Sequence, residues 1–348
     1  MSQAGNGHRS AAEKRILSFA RRRFGPEAEV ELLAGDASNR CFFRVRLRGL
    51  SPLVAMVHPE PFVLDELPWF LHARFLDGIG ASVPAVVGSY PGEGILLVQD
   101  LGDDTLMRAL ESAGPSERLE LYRQAVLVIA GLQKEGLRAL PPEIPAARTA
   151  LDAERLLFEL RFFHEHYVES LLGAPLAGAA AARLDEWYPE LAATVAGFPA
   201  TLCHRDFHSR NLMVRAGRIY MVDFQDARMG PWLYDLASLL RDSYVDLPEP
   251  LVTGMFDLFL GEVEPPRGAA GGGGAVSRES ALAEFDLTSL QRNIKAIGTF
   301  ASQAVLRGKR DYLRFIPRTL AHVLSNLARR GPESIRAIFE SLPPPPAA

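Results

Sequence analysis

The run His204-Arg205-Asp206-Phe207-His208-Ser209-Arg210-Asn211 sets a carboxamide five positions after a carboxylate, and Asp223 follows at the end of an apolar stretch. Those residue types in that order suit phosphoryl transfer. The reaction needs a carboxylate beside the attacking hydroxyl, ligands for magnesium and a cover over the nucleotide phosphates. Asp206 supplies the first: it would orient the acceptor hydroxyl and accept its proton. Asn211 offers an amide oxygen to the metal and Asp223 a carboxylate, both hard donors suited to magnesium. Alone, Asp206 or Asn211 is better read as a helix cap or turn residue. Together with His204 and Asp223 on strand ends, the ordered set favours chemistry. His204 itself reads as a buried ring bracing the loop. His208 and Arg210 are either solvated side chains of that loop or contacts to substrate or phosphate.

The spacing matches the catalytic-loop pattern H-R-D-x-x-x-x-N. Arg218-Ile219-Tyr220-Met221-Val222 has strand character and delivers Asp223-Phe224-Gln225, in which Gln225 replaces the glycine of D-F-G. The elements that must position these residues fall into two regions. Residues 13–24 have apolar side chains at helical spacing. Val30–Leu33, Cys41–Leu47 and Leu53–Val57 read as strands, the second with Phe43, Val45 and Leu47 alternating with arginines. A helix is expected from Pro68 to Leu76, and further strands at Val83–Val87 and Gly94–Val98. Beyond Leu101 the pattern turns helical at 116–135, 152–172 and 179–196, with a strand–loop–strand island at 201–224. More helices are expected up to Pro265 and at 284–307 and 310–341. Residues 265–278, with four consecutive glycines, read as a flexible loop.

The expected architecture is therefore α+β and two-lobed. A small β-rich N-terminal lobe (1–101) would bind nucleotide, and a mainly helical C-terminal lobe (102–348) would carry catalysis and substrate binding. At 348 residues, with 48% hydrophobic side chains, the chain is long enough for two such lobes around one cleft. A net charge of −4 argues against a nucleic-acid partner, because phosphate-backbone affinity needs concentrated Lys and Arg. Cys41 and Cys203 form neither a metal-ligand spacing nor a disulfide framework, which fits a reducing cytoplasm. No stretch approaches the ~18 uncharged apolar residues of a membrane span.

The core resembles the aminoglycoside phosphotransferase and choline kinase superfamily, which shares the two-lobed protein-kinase-like fold. A narrower resemblance is to the bacterial anomeric kinases of cell-wall amino sugars. It is carried by Asp36-Ala37-Ser38-Asn39-Arg40, Leu97-Val98-Gln99-Asp100-Leu101-Gly102, Asp223-Phe224-Gln225-Asp226-Ala227, Gly230-Pro231 and Tyr234-Asp235-Leu236. Ser238–Asp242 and Arg292-Asn293-Ile294-Lys295 with Gly298 and Phe300 extend it. Those kinases phosphorylate the C1 hydroxyl of N-acetylmuramate and N-acetylglucosamine in peptidoglycan recycling. The resemblance implies ATP and Mg2+ as cofactors and a small sugar as substrate, with no membrane partner and a monomer or weak dimer. Other readings are an aminoglycoside or amino-alcohol kinase, or a nucleotide-binding pseudokinase.

The resemblance also implies that Gln99, Asp100 and Leu101 form the hinge that meets adenine, and that the Asp36–Arg40 turn, with Ser38, covers the phosphates. A plain hairpin turn is the alternative there. The third strand, Val54-Ala55-Met56-Val57-His58, lacks the lysine that usually pairs with nucleotide phosphates in this fold. Arg40 or Arg44 is expected to supply that charge. For the sugar, Asp226 is placed to meet a hydroxyl and Arg241 an anionic lactyl group, with His208 and Glu159 as further contacts. Glu159, Phe163 and Tyr167 share one helical face; core packing with a solvated charged face is the plainer account of it.

Overall fold

The computed structural model describes residues 3–33, 40–174, 176, 178–264 and 276–346. Helix α1 (Gln3–Phe24) leads into β1 (Glu29–Leu32), β2 (Cys41–Arg46) and β3 (Leu53–Val57). Helix α2 (Pro68–Gly78) follows, then β4 (Val86–Tyr90) and β5 (Ile95–Gln99). The five strands form one antiparallel sheet in the spatial order β1-β2-β3-β5-β4. Phe43 pairs with Ala55 across β2 and β3, so the apolar set Phe43, Val45, Ala55, Val57, Ile95 and Leu97 lies on one face. That face buries against Ile16, Phe19 and Ala20 of α1. The alternate residues Phe42, Val54, Met56, Leu96 and Val98 join Trp69 of α2 in the core that continues into the large lobe. A register slip of one residue would exchange the two faces, so the alternation in the sequence holds the pairing.

The second lobe runs α3 (Leu106–Ser112), α4 (Pro115–Ala139), α5 (Ala153–Phe163) and α6 (Ala179–Ala196). Four short strands come next: β6 (Ala200–Cys203), β7 (Leu212–Arg215), β8 (Arg218–Met221) and β9 (Arg228–Pro231). The chain ends in α7 (Tyr234–Leu240), α8 (Glu249–Glu262), α9 (Arg278–Arg307), α10 (Ile316–Arg330) and α11 (Glu333–Ser341). The β7–β8 hairpin closes through Ala216 and Gly217 at φ 49° and 73°. Two consecutive positive φ values give the mirror-image turn whose twist suits a tight hairpin. Helix α9 runs through the middle of the lobe against α5, α7 and α10. Gly298 allows the approach to α5: a Cβ there would stand 2.7 Å from the Phe163 Cα.

The two-lobed α+β architecture agrees with the sequence reading, and three helical expectations change in detail. The helix expected over 152–172 divides into α5 and a π-helical segment, His164–Leu171. The helix expected over 310–341 divides into a 3-10 turn, α10 and α11, with Pro317 in the first turn of α10 and Gly331-Pro332 between α10 and α11. Helix α9 begins at Arg278 rather than 284, because the Ser277 hydroxyl accepts from the Ser280 N–H at 3.1 Å and caps it. Residues 265–275 of the expected loop lie outside the described residues, as does the 34–39 turn that includes Ser38. Among the described residues no helix is long and apolar enough to cross a membrane.

Candidate active site

The loop that follows β6 is anchored at both ends by backbone hydrogen bonds to buried carboxylates. Asp235, fully buried on α7, accepts the His204 N–H at 2.6 Å and the Arg205 N–H at 2.9 Å. This fixes Arg205 at φ 80°, a left-handed conformation that non-glycine residues avoid without such support. Burial pushes the Asp235 carboxyl up to about 6, against the neighbouring His204 and the two N–H donors. Asp242 accepts the Ser209 N–H at 2.9 Å and fastens the loop's other end. The His204 ring is 1% exposed and lies 3.0 Å from the Val222 carbonyl through Nε2. Burial lowers its pKa, so it stays a neutral brace.

Within this frame the three polar residues converge. The Asn211 side-chain NH2 donates to the Asp206 carbonyl at 3.1 Å, which leaves the amide oxygen as the acceptor end. The Val222 N–H donates to the Asn211 carbonyl at 3.0 Å, joining the loop to the end of β8 and hence to Asp223. Asp223 adopts φ 65° and accepts from Gln225 Nε2 at 2.7 Å. Asn211 and Asp223 both line a cleft of ≈ 550 Å³ between the lobes, together with Met56, Val98, Gln99 and Leu101. Two hard oxygen donors in that cleft fit magnesium, which takes one or two protein ligands and completes its shell with phosphates and water. No cluster of three or more His, Cys, Asp or Glu that could cage a metal occurs among the described residues.

Asp206 has a partner that sequence reasoning passed over. Lys295, on α9, places Nζ 2.8 Å from Asp206 Oδ1. Burial alone would raise the Asp206 carboxyl, yet Lys295, Arg205 and His208 together hold it well below the usual carboxylate range. Lys295 is present in the sequence run that carried the narrower resemblance, without a role. The available signal was the i, i+4 spacing of Gln291 and Lys295, which marks a polar stripe on an otherwise buried helix.

The expected phosphate cations divide. Arg44 is 5% exposed and makes paired bonds to Asp100 and Asp103, with Nη2 at 3.1 Å and 2.9 Å from their Oδ1 atoms. Its charge is answered by two carboxylates, and it ties β2 to the segment after β5 at the wall of the same cleft. Arg40 lies with Nη1 3.8 Å from the Met56 sulfur, on the lysine-free third strand, and over the Phe42 ring. Arg210 lines the same cleft and rests on Tyr244 and Tyr312, 5.0 and 5.7 Å from their ring centres. In the hinge, Asp100 is buried by Arg44 and by the Gly102 N–H at 2.8 Å, while the Gln99 N–H donates to the Ala85 carbonyl.

The expected sugar contacts divide as well. Asp226 is open to solvent, its side chain 59% exposed, with Arg228 Nη2 at 3.9 Å. His208 packs edge-on to Tyr244, and burial, aided by Arg292, pushes it down to about 3, so it is neutral. Glu159 corrects to a supporting residue: it is 3% exposed and meets Arg205 at 3.1 Å, Gln291 at 3.2 Å and Arg155 at 3.5 Å. Arg241 corrects likewise. It is bound to Glu249 through both Nη atoms and lines a separate cavity with Arg278 and Asp286, away from Asp206.

An interlobe cleft lined by Asn211 and Asp223, beside a hydrogen-bonded loop that carries Asp206 against Lys295, is the arrangement of a phosphotransferase. Residues 29–270 match the phosphotransferase enzyme family (APH), and the chain belongs to it. It is 32% identical over 326 residues to an N-acetylmuramate/N-acetylglucosamine kinase of Pseudomonas aeruginosa, covering 91% of this chain and 90% of the relative. It is also 32% identical to the like-named kinase of Neisseria meningitidis, with 88% of each chain covered. The fold is similar to that of a choline/ethanolamine kinase family protein from Mesorhizobium loti, at TM-score 0.61 and 13% identity over 95% of this chain and 99% of that one. An amicoumacin kinase in complex with AMP-PNP and Ca2+ gives TM-score 0.63 at 16% identity, covering 100% and 98%.

Proposed function

We propose that the protein transfers the γ-phosphoryl group of ATP to the anomeric C1 hydroxyl of N-acetylmuramate and N-acetylglucosamine, in the reuse of cell-wall sugars in the cytoplasm. Residues 1–101 act as the nucleotide-binding lobe, with the 99–101 hinge at adenine and Arg40 as the cation near the phosphates. Residues 102–348 bind the sugar. The observation that carries the reading is the Asp206 carboxylate, 2.8 Å from Lys295 of α9, in the same loop as Asn211 and one two-stranded hairpin from Asp223. The amino-sugar kinases that share a third of the sequence supply the substrate.

Asp206 accepts a hydrogen bond from the C1 hydroxyl, aims it at the phosphorus and takes its proton. Asp206 takes that proton late in the reaction. This suits a loose transition state, in which the attacking oxygen gains little bonding before the leaving group has largely departed. Lys295 keeps Asp206 charged and fixes the direction of its carboxylate. Asn211 and Asp223 would hold magnesium, which neutralises charge on the phosphate oxygens when bound.

The test is ATP consumption with both N-acetylated sugars, an aminoglycoside and choline as acceptors, with the position of phosphorylation identified. An acid-labile sugar 1-phosphate is expected. A stable phosphate on another acceptor assigns a different kinase, and magnesium-dependent nucleotide binding without transfer to any acceptor assigns a pseudokinase.

A further inference from the structure

Near the catalytic loop, outside the residues that line the nucleotide cleft, three arginines gather from three separate elements. Arg205 belongs to the catalytic loop, Arg155 to α5 and Arg228 to β9. Glu159 lies between the first two, 3.1 Å from Arg205 Nη2 and 3.5 Å from Arg155 Nε. Arg228 donates through Nε to the Asp226 carbonyl at 3.2 Å, and its Nη2 is 3.9 Å from the Asp226 carboxylate, too far for a hydrogen bond. None of the three lines the nucleotide cleft.

The local charge does not balance. Three guanidinium groups face two carboxylates, while the Asp206 charge is answered by Lys295, so one positive charge is in excess. The hydrogen bonding does not balance either. Arg205 Nε is buried without an acceptor, and the 3.5 Å contact of Arg155 Nε with Glu159 lacks hydrogen-bond geometry. Burial, with repulsion from Arg205 and Arg155 behind it, lowers the Arg228 pKa. The side chains remain partly open, 12% for Arg205, 16% for Arg228 and 37% for Arg155. Such an arrangement asks for one more anion with two or more acceptor oxygens, and a carboxylate matches the planar guanidinium fork.

We infer that Arg155, Arg205 and Arg228 form a carboxylate-binding subsite next to Asp206, which takes the lactyl carboxylate of N-acetylmuramate. The inference rests on the functional reading above and deepens it by naming what distinguishes the two sugars. The lactyl group is carried on C3 of the same ring whose C1 hydroxyl Asp206 receives. Arg205 adjoins Asp206 in the loop and the two side chains feel each other's charge, which puts the subsite within one sugar's reach. With N-acetylglucosamine the subsite holds water instead. This assignment replaces Arg241, whose guanidinium is bound to Glu249 in another part of the lobe.

The experiment compares kcat/KM of the full chain for N-acetylmuramate, its lactyl carboxamide and N-acetylglucosamine. The unaltered protein should prefer the acid to its amide by about tenfold or more, chiefly in KM. Arg228→Gln and Arg155→Gln should each bring the acid-to-amide ratio towards one. Equal turnover of acid and amide by the unaltered protein overturns the subsite and needs no variant. A ratio unchanged in both variants, with melting temperatures near that of the parent, overturns it as well. Phosphorylation of none of the three sugars overturns the functional reading itself, and the subsite with it.

Discussion

Lys295 Nζ and Asp206 Oδ1 lie 2.8 Å apart although 89 residues separate them in the chain. The contact joins α9 to the catalytic loop, and it sets the ionisation of the proposed base. Removing Lys295 has a signed consequence. With Lys295→Met, the burial that favours the neutral acid is opposed by fewer charges, so the Asp206 pKa rises. The active form is the carboxylate. The acid limb of kcat should therefore move to higher pH, with the loss of kcat largest at the acid end and smaller towards neutrality. A pH–rate profile between pH 4 and 8 checks this, since a uniform loss at every pH would point to a structural role alone.

Asp206 and Asp223 should fail in different ways. Asp206→Ala removes the acceptor of the hydroxyl proton and should lower kcat by about 10²–10⁴-fold while nucleotide affinity is kept. Asp223→Ala should also weaken magnesium-nucleotide binding, seen as a higher magnesium concentration for half-maximal rate. Titration calorimetry with a non-hydrolysable ATP analogue separates the two. Near-normal turnover in either variant would refute the role given to it.

The two arginines near the phosphate end should separate stability from catalysis. Arg44→Ala leaves Asp100, whose side chain is 4% exposed, without its cation. Breaking a buried pair in this way costs about 3–5 kcal/mol, so the melting temperature should fall sharply. The Asp100 carboxyl titrates below its ordinary value, so the pair's contribution is fully present above about pH 4 and is lost as pH falls further. Arg40→Ala should raise KM for ATP. If Arg40→Ala leaves both KM and kcat at parental values, the phosphate cation lies elsewhere, with Arg210 the next residue to test.

Gly298→Ala should damage the site from a distance. Its Cβ would press on the Phe163 backbone at 2.7 to 2.9 Å, where a flexible side chain cannot give way. Overpacking of this kind costs about 1–3 kcal/mol and would push α9 off α5. Lys295 lies three residues earlier on the same helix, so kcat should fall together with stability. An unchanged pH–rate profile in this variant would show that α9 yields without moving Lys295.

What could be read before the structure was what is local along the chain. Asp206, Asn211 and Asp223 lie within one short strand–loop–strand segment, and their chemistry follows from order and spacing. Phe43 and Val45 declare their strand by alternation, and Ile16 and Ala20 their helix by four-residue spacing. The partner of each charge was not readable. Whether Arg44 meets a phosphate or Asp100 depends on a contact across 56 residues, and whether Arg241 faces the sugar or Glu249 depends on the direction of a side chain at the end of α7. The break of the last helix was marked by Pro317 and Gly331-Pro332. The π-helical segment after Phe163 has no comparable mark, since apolar spacing barely distinguishes one extra residue in a turn.

Helix α9 carries the close approach at Gly298, the hydrogen bond from Gln291 that supports Glu159, and the ammonium of Lys295. Attempts to make the protein more heat-tolerant by repacking this helix would also retune the proton affinity of Asp206. A library built on α9 and selected only for survival at high temperature would thus, unseen by the selection, be a library of altered pH optima.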